Sequence, residues 1–222
     1  MLHVWRISIR AQESFASLVR HDLKSYGQRC EQCGRITAYQ HHQQIVEWEE
    51  GSDVVADFVN VLGLIIVREP IAATLVSRFR GWTKYPIELF DAPRLHRQAR
   101  VTKRTKKRVW MPYEGPPLVE LFVTHEVSLL PQSTVRFEKE CAVCGGRTYV
   151  RNGFEGVEHR QGSKHNARLV GNGLFVAHDE LKGCDVFRPR STGLTLCTDA
   201  VRDFIVAERY SNVEFFEYGD VI

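Results

Sequence analysis

The chain has 222 residues, 43% of them hydrophobic, enough to bury a core without help from disulfides. Its formal net charge is only +3, so overall charge selects neither nucleic acid nor an anionic membrane surface. No apolar run approaches the length of a bilayer span, and the opening Met1-Leu2-His3-Val4-Trp5-Arg6 lacks a secretory apolar region, so a cytoplasmic protein with no membrane partner is expected.

In chain order, residues 4–9 alternate apolar and polar for much of their length, as a half-buried strand does. Phe15, Leu18, Val19 and Leu23 then recur at helical spacing and predict a short helix over residues 12–23. Residues 36–39 and 45–48 are strand-like. The run Leu62-Gly63-Leu64-Ile65-Ile66-Val67 predicts a buried strand, and Arg68-Glu69-Pro70 opens a helix with proline in its first turn. Ile71, Leu75, Val76 and Phe79 fall on one helical face, Gly81 is expected to end the helix, and Ile87-Glu88-Leu89-Phe90 predicts another strand. Further strands are predicted over residues 118–123, at Val135-Arg136-Phe137 and over residues 174–177.

The end of the chain repeats this phrase. Gly193-Leu194-Thr195-Leu196-Cys197 matches Gly63-Leu64-Ile65-Ile66-Val67, Thr198-Asp199 supplies the expected cap, and Val201, Phe204 and Ile205 continue a helical face. Asn212-Val213-Glu214-Phe215-Phe216 is matched to Pro86-Ile87-Glu88-Leu89-Phe90. Each phrase follows one Cys-x-x-Cys-Gly, the first Cys30-Glu31-Gln32-Cys33-Gly34 and the second Cys141-Ala142-Val143-Cys144-Gly145. The expected fold is therefore α+β: two duplicated zinc-knuckle plus strand–helix–strand units, packed as a single compact unit around one four-cysteine zinc site. The first unit spans residues 1–92 and the second 118–222, with a glycine-containing insertion over 151–192. A basic, proline-rich linker or loop over 93–117 joins them.

Two residues between thiols let both sulfurs face one ion, and the following glycine permits the tight turn that aims backbone N–H groups at them. Structural zinc takes four ligands in a tetrahedron, so Cys30, Cys33, Cys141 and Cys144 form one predicted all-thiolate Zn²⁺ site. A redox role would explain one Cys-x-x-Cys but seldom comes doubled, and no signal peptide argues for the oxidising compartment that disulfides need. A separate site of Cys30, Cys33, His41 and His42 ranks lower, because the spacing is shorter than in the usual finger. Cys197 lies in a strand-like run and reads as a buried small residue. Cys184 receives no role.

Four thiolates leave no position open for water, so the zinc is expected to be structural. His178-Asp179-Glu180 offers the first half of a deaminase signature, but no Pro-Cys-x-x-Cys follows it, and His125, His159 and His165 are scattered. No Walker loop, nucleophile elbow or HExxH is present, and no enzyme activity is expected. Residues 94–108 carry Arg94, Arg97, Arg100, Lys103, Arg104, Lys106, Lys107 and Arg108 without an acidic residue. This run reads first as a solvated loop whose partial deletion, over 103–108, would leave folding intact. Its second reading is a phosphate-binding stretch of a zinc-ribbon protein, with Trp110 and Tyr113 available to stack on bases.

The paired knuckles, with Leu118-Val119-Glu120-Leu121-Phe122-Val123-Thr124 upstream of the second and a terminal strand–helix–strand, resemble the myxobacterial double-CxxCG motif proteins. That family includes immunity proteins that protect against contact-delivered swarming-inhibition toxins. The likeness runs from Val4 onward, while the basic stretch 94–108 and the insertion 151–192 fall outside it. It implies a cytoplasmic protein that binds and neutralises a cognate protein toxin, with zinc on Cys30, Cys33, Cys141 and Cys144.

Overall fold

The computed structural model describes residues 2–9, 14–20, 27–34, 36–39, 41, 43–96, 107–134, 137–149, 167–169, 171–190 and 192–222. Its first part supplies β1 (Leu2–Ser8), β2 (Leu18–Arg20), the hairpin of β3 (Gly27–Arg29) and β4 (Ile36–Tyr39), then β5 (Gln44–Trp48) and β6 (Phe58–Val61). A strand–helix–strand unit follows: β7 (Leu64–Arg68), α1 (Glu69–Arg78) and β8 (Trp82–Leu89). Next come β9 (Leu118–Val123), β10 (Glu126–Val127), the hairpin of β11 (Phe137–Glu140) and β12 (Arg147–Tyr149), β13 (Leu174–Val176) and β14 (Val186–Pro189). The chain closes with β15 (Leu196–Thr198), α2 (Asp199–Ala207) and β16 (Glu214–Val221). Among the described residues, no helix is long and apolar enough to cross a membrane.

These strands form two six-stranded sheets, ordered β2-β5-β8-β9-β7-β6 and β10-β14-β15-β1-β16-β13, and the two hairpins form small sheets of their own. Both large sheets share an inner order. In the first, β6, β7, β9 and β8 run antiparallel in succession and β5 lies parallel to β8. In the second, β14, β15, β1 and β16 do the same, with β13 parallel to β16. The central strand of each sheet comes from the far part of the sequence. β9 registers Val119 on Val67 and on Pro86, whereas β1 registers Trp5 on Cys197 and on Glu217.

Side-chain alternation along these strands builds three cores. Ile65, Val67, Val119, Leu121 and Val123 of the first sheet face Trp5, Ile7, Cys197 and Phe215 of the second. Ile71, Ala72 and Leu75 of α1 and Val201 and Ile205 of α2 fill the same shared core. The helices also touch each other: the Phe79 and Phe204 rings lie 5.5 Å apart, with the Arg78 guanidinium 4.5 Å from the Phe204 ring. Opposite faces bury Val46, Trp48, Ile66 and Leu118 in the first sheet, and Val4, Leu174, Phe187 and Leu196 in the second. Contact of β2 with β6 nearly closes the first sheet around its own core.

Two matching joints lock the sheets together. After α1, the Arg80 carbonyl accepts from Asp185 N and Val186 N, and Arg80 N donates to the Asp185 carboxylate at 3.0 Å. After α2, Ser211 O accepts from Phe58 N, and Ser211 N donates to the Asp57 carboxylate at 2.8 Å. The same residue type serves each joint: an aspartate carboxylate accepts from a backbone N–H in the turn that follows each helix.

Several expected elements differ. Leu18 to Arg20 is an edge strand on β5, in place of the helix predicted over residues 12–23; Leu18 is buried and Val19 is exposed, the period of a strand. Apolar spacing there fits either form, and pairing with Glu47 and Trp48 decides it. Helix α1 ends at Arg78, before Gly81. Gly81 has φ +104° and lies against the Val186 backbone, so its role is the joint between sheets. Thr198 occupies the N-cap position of α2 without a capping bond. The Asp199 carboxylate turns to β1, accepting from His3 N and Trp5 Nε1, both at 2.8 Å. The last strands also align differently: Phe216 pairs with Arg6 as Tyr85 pairs with Glu120, so Phe216 occupies the place of Tyr85 and not that of Phe90.

Residues 97–106 of the basic stretch lie outside the described residues, but its two ends are structured. Leu95, Val109 and Met111 enter the first sheet's own core. Arg108 is buried, pairs with Glu50 and lies over the Trp110 ring, so it is no part of a solvated run and deleting it would cost packing.

Replacing Gly81 with alanine would drive a Cβ into the Val186 carbonyl at a backbone angle L-residues avoid. Overpacking and the left-handed penalty together predict a loss of about 2–4 kcal/mol. Urea unfolding of Gly81→Ala against the parent chain measures it.

Candidate metal centre

The two knuckles are built alike. Each β-hairpin ends its first strand at a cysteine and turns through a glycine in the left-handed region, φ +70° at Gly34 and +66° at Gly145. Gly34 N donates to Cys30 O and Gly145 N to Cys141 O, both at 2.8 Å. That turn folds the backbone tightly enough for sulfurs three positions apart to face one point, and a Cβ-bearing residue would resist it. Where the second hairpin meets its knuckle, Arg147 Nε donates to Glu140 Oε2 at 2.9 Å.

The structure brings the sulfurs of Cys30, Cys33, Cys141 and Cys144 together, all within 4.8 Å of one another. Cys30 Sγ lies 3.7 Å from Cys141 Sγ, and Cys33 Sγ 3.6 Å from Cys144 Sγ. A covalent S–S bond is about 2.05 Å, so these are four free thiols. Sulfurs placed about 2.3 Å from a tetrahedral ion lie about 3.8 Å apart, close to the two separations seen. The set is capable of coordinating a metal ion. Cys30 and Cys141 are buried, Cys144 is half-buried and Cys33 is exposed, so one edge of the cluster opens to solvent.

Electrostatics show why a cation suits the site. The backbone N–H groups of Cys144 and Val143 favour the Cys141 thiolate and lower its pKa to about 6. Cys144 goes the other way: the Gly146 N–H favours its thiolate, but burial and the adjoining Cys33, Cys30 and Cys141 sulfurs push it up to about 12. One proton leaves readily and its neighbour is held, because negative sulfurs this close repel. A divalent ion held by these four sulfurs would remove that conflict by favouring the ionised form of each.

His41 does not join the cluster. Its Nε2 lies 3.0 Å from Glu120 Oε2, and its ring stacks on Tyr85 with centroids 3.3 Å apart. His42 lies outside the described residues, as do His159 and His165. His125 Nε2 lies 2.7 Å from Glu180 O, and Glu180 Oε2 accepts from Ser128 N, so the His178-Asp179-Glu180 segment serves a turn. Cys184 is half-buried in that turn, its N–H donating to Leu181 O. Cys197 is fully buried in the shared core, where desolvation pushes its thiol well above the ordinary value. The contact between His41 and Glu120 carries hairpin β3–β4 onto the first sheet, and sequence reading passed over it. Its signal was an acidic residue inside the apolar run Leu118-Val119-Glu120-Leu121-Phe122-Val123.

In metal-free, reduced protein, Cys141 is expected to alkylate at lower pH than Cys144, because backbone N–H groups favour the Cys141 thiolate while burial and the adjoining sulfurs hold the Cys144 proton. Added zinc should protect both from labelling, because a thiolate held by the metal is not free to react. Iodoacetamide labelling read by peptide mass spectrometry across pH 5–9 makes the check.

No protein-family model matches the chain, and no curated protein matches it.

Proposed function

We propose that Cys30, Cys33, Cys141 and Cys144 hold one structural zinc ion. On this reading the chain comprises two duplicated units, each a knuckle plus strand–helix–strand, and works as a non-catalytic, cytoplasmic immunity protein that binds and neutralises a cognate protein toxin. The observation that carries the metal reading is the convergence of four thiols from two distant hairpins onto one point. Thiolate donors suit zinc, and four of them complete its tetrahedron without a position for water or substrate. The shared inner order of the two sheets and the matching Asp57 and Asp185 joints support duplication.

The toxin-binding reading draws on the family resemblance and on the physics of the hairpins. A two-stranded hairpin is marginal alone, and an ion shared between two of them would present both tips in a fixed arrangement. Surfaces shaped before binding lose less entropy when a partner docks. Val143, 71% exposed at the tip of the second knuckle, is an apolar group available to such a partner.

The nucleic-acid reading is weaker. Arg94 pairs with Glu47, Lys107 lies 4.0 Å from Asp53, and Arg108 pairs with Glu50. Trp110 lies under Arg108, and Tyr113 packs on Trp48 with centroids 5.6 Å apart. Each of these described groups thus has a partner within the protein, while residues 97–106 lie outside the described residues.

Elemental analysis of protein purified in reducing buffer should find one zinc per chain, and none in Cys141→Ser. Co-expression with the products of neighbouring genes should restore growth to cells making the toxin and yield a co-eluting complex. Growth arrest despite abundant soluble protein would refute the immunity reading. Retention on heparin that falls steeply with salt would favour nucleic acid instead.

A further inference from the structure

We infer that the two halves of the chain, residues 2–96 and 107–222, are each other's binding partners through exchanged central strands, and that this interface holds without the metal. The inference rests on strand pairing and the shared core, independently of the zinc and toxin readings.

Each half lacks the middle of its own sheet. The first half supplies β7 and β8 with a gap between them, and β9 of the second half fills it. The second half supplies β15 and β16, and β1 of the first half fills that gap. Both inserted strands pair on both edges: β1 from Val4 to Arg6 on β15 and from Leu2 to Ser8 on β16, β9 from Leu118 to Leu121 on β7 and from Val119 to Val123 on β8. A half without its partner would expose two strand edges at the centre of a sheet, with their N–H and C=O groups unpaired.

Side chains reinforce the exchange. Trp5 and Ile7 of the first half pack with Cys197, Val201 and Phe215 of the second, while Val119, Leu121 and Val123 pack with Ile65, Val67 and Leu75 of the first. An apolar seam cut through a continuous core is the mark of an obligate interface. Asp199 adds two charge-assisted bonds to β1, at His3 N and Trp5 Nε1, and the Arg80–Asp185 and Ser211–Asp57 joints close the periphery. The sulfur cluster also spans both halves, but it sits on two hairpins that form sheets separate from these, so it is a second and independent tie.

The test uses the full chain with a protease recognition sequence inserted within residues 97–106. After complete cleavage, native size-exclusion chromatography should show both fragments in one peak with no loss of co-elution. The result should be the same after zinc is chelated in reducing buffer. Fragments that separate once cut, or that separate only after chelation, overturn the inference; the second outcome would leave the metal reading intact. Hydrogen–deuterium exchange on the uncut chain gives an independent readout. In chelated protein, amides of Val4 to Ile7 and of Val119 to Val123 should stay as protected as those of β7 and β15, with loss of protection confined to the two knuckle hairpins. Selective exposure of β1 or β9 would overturn it.

Discussion

The architecture depends on where two strands lie. β1 sits between β15 and β16, and β9 between β7 and β8. A central strand is the most heavily paired element a sheet can have, and here each one is donated across the molecule. Helices α1 and α2 then cover one continuous core, because the apolar faces of both sheets turn toward it. The knuckles meet as a result: with their parent sheets held at the Arg80 and Ser211 joints, β3–β4 and β11–β12 bring four sulfurs within 4.8 Å.

The sulfur cluster adds order where the sheets supply little. Two-stranded hairpins have too small a core to be stable in isolation. One anchor of the first is a polar stack, His41 between Glu120 and Tyr85. Four thiols at this separation are electrostatically frustrated when ionised, as the opposite shifts of Cys141 and Cys144 show. A divalent cation bound there would turn that repulsion into attraction and tie the hairpins together.

Local signals were readable where local physics governs. The apolar run from Leu64 to Val67, the proline opening α1 and the inward face of Val201 and Ile205 all behave as their patterns indicate, since burial of one side suffices to define them. The doubled Cys-x-x-Cys-Gly was equally legible, because ligand spacing and the left-handed glycine are short-range requirements. Leu18 misled because its neighbours fit either period, and only the edge of β5 chose a strand. Arg108 misled because a charge run says nothing about Glu50 lying across from it.

By itself the sequence determined the four metal-ligating candidates, the two strand–helix–strand phrases and the likeness between them, all consequences of residue spacing within a few turns of chain. Tertiary structure decided which strand enters which sheet, that both pairs of thiols share one point, and that Asp199 and Glu120 serve distant strands in place of local caps or solvent. Those outcomes turn on pairing between residues more than a hundred positions apart in the case of β1 with β15 and β16. No local pattern encodes such a partner, because an apolar alternating strand is equally complementary to either sheet until the rest of the molecule has closed around it.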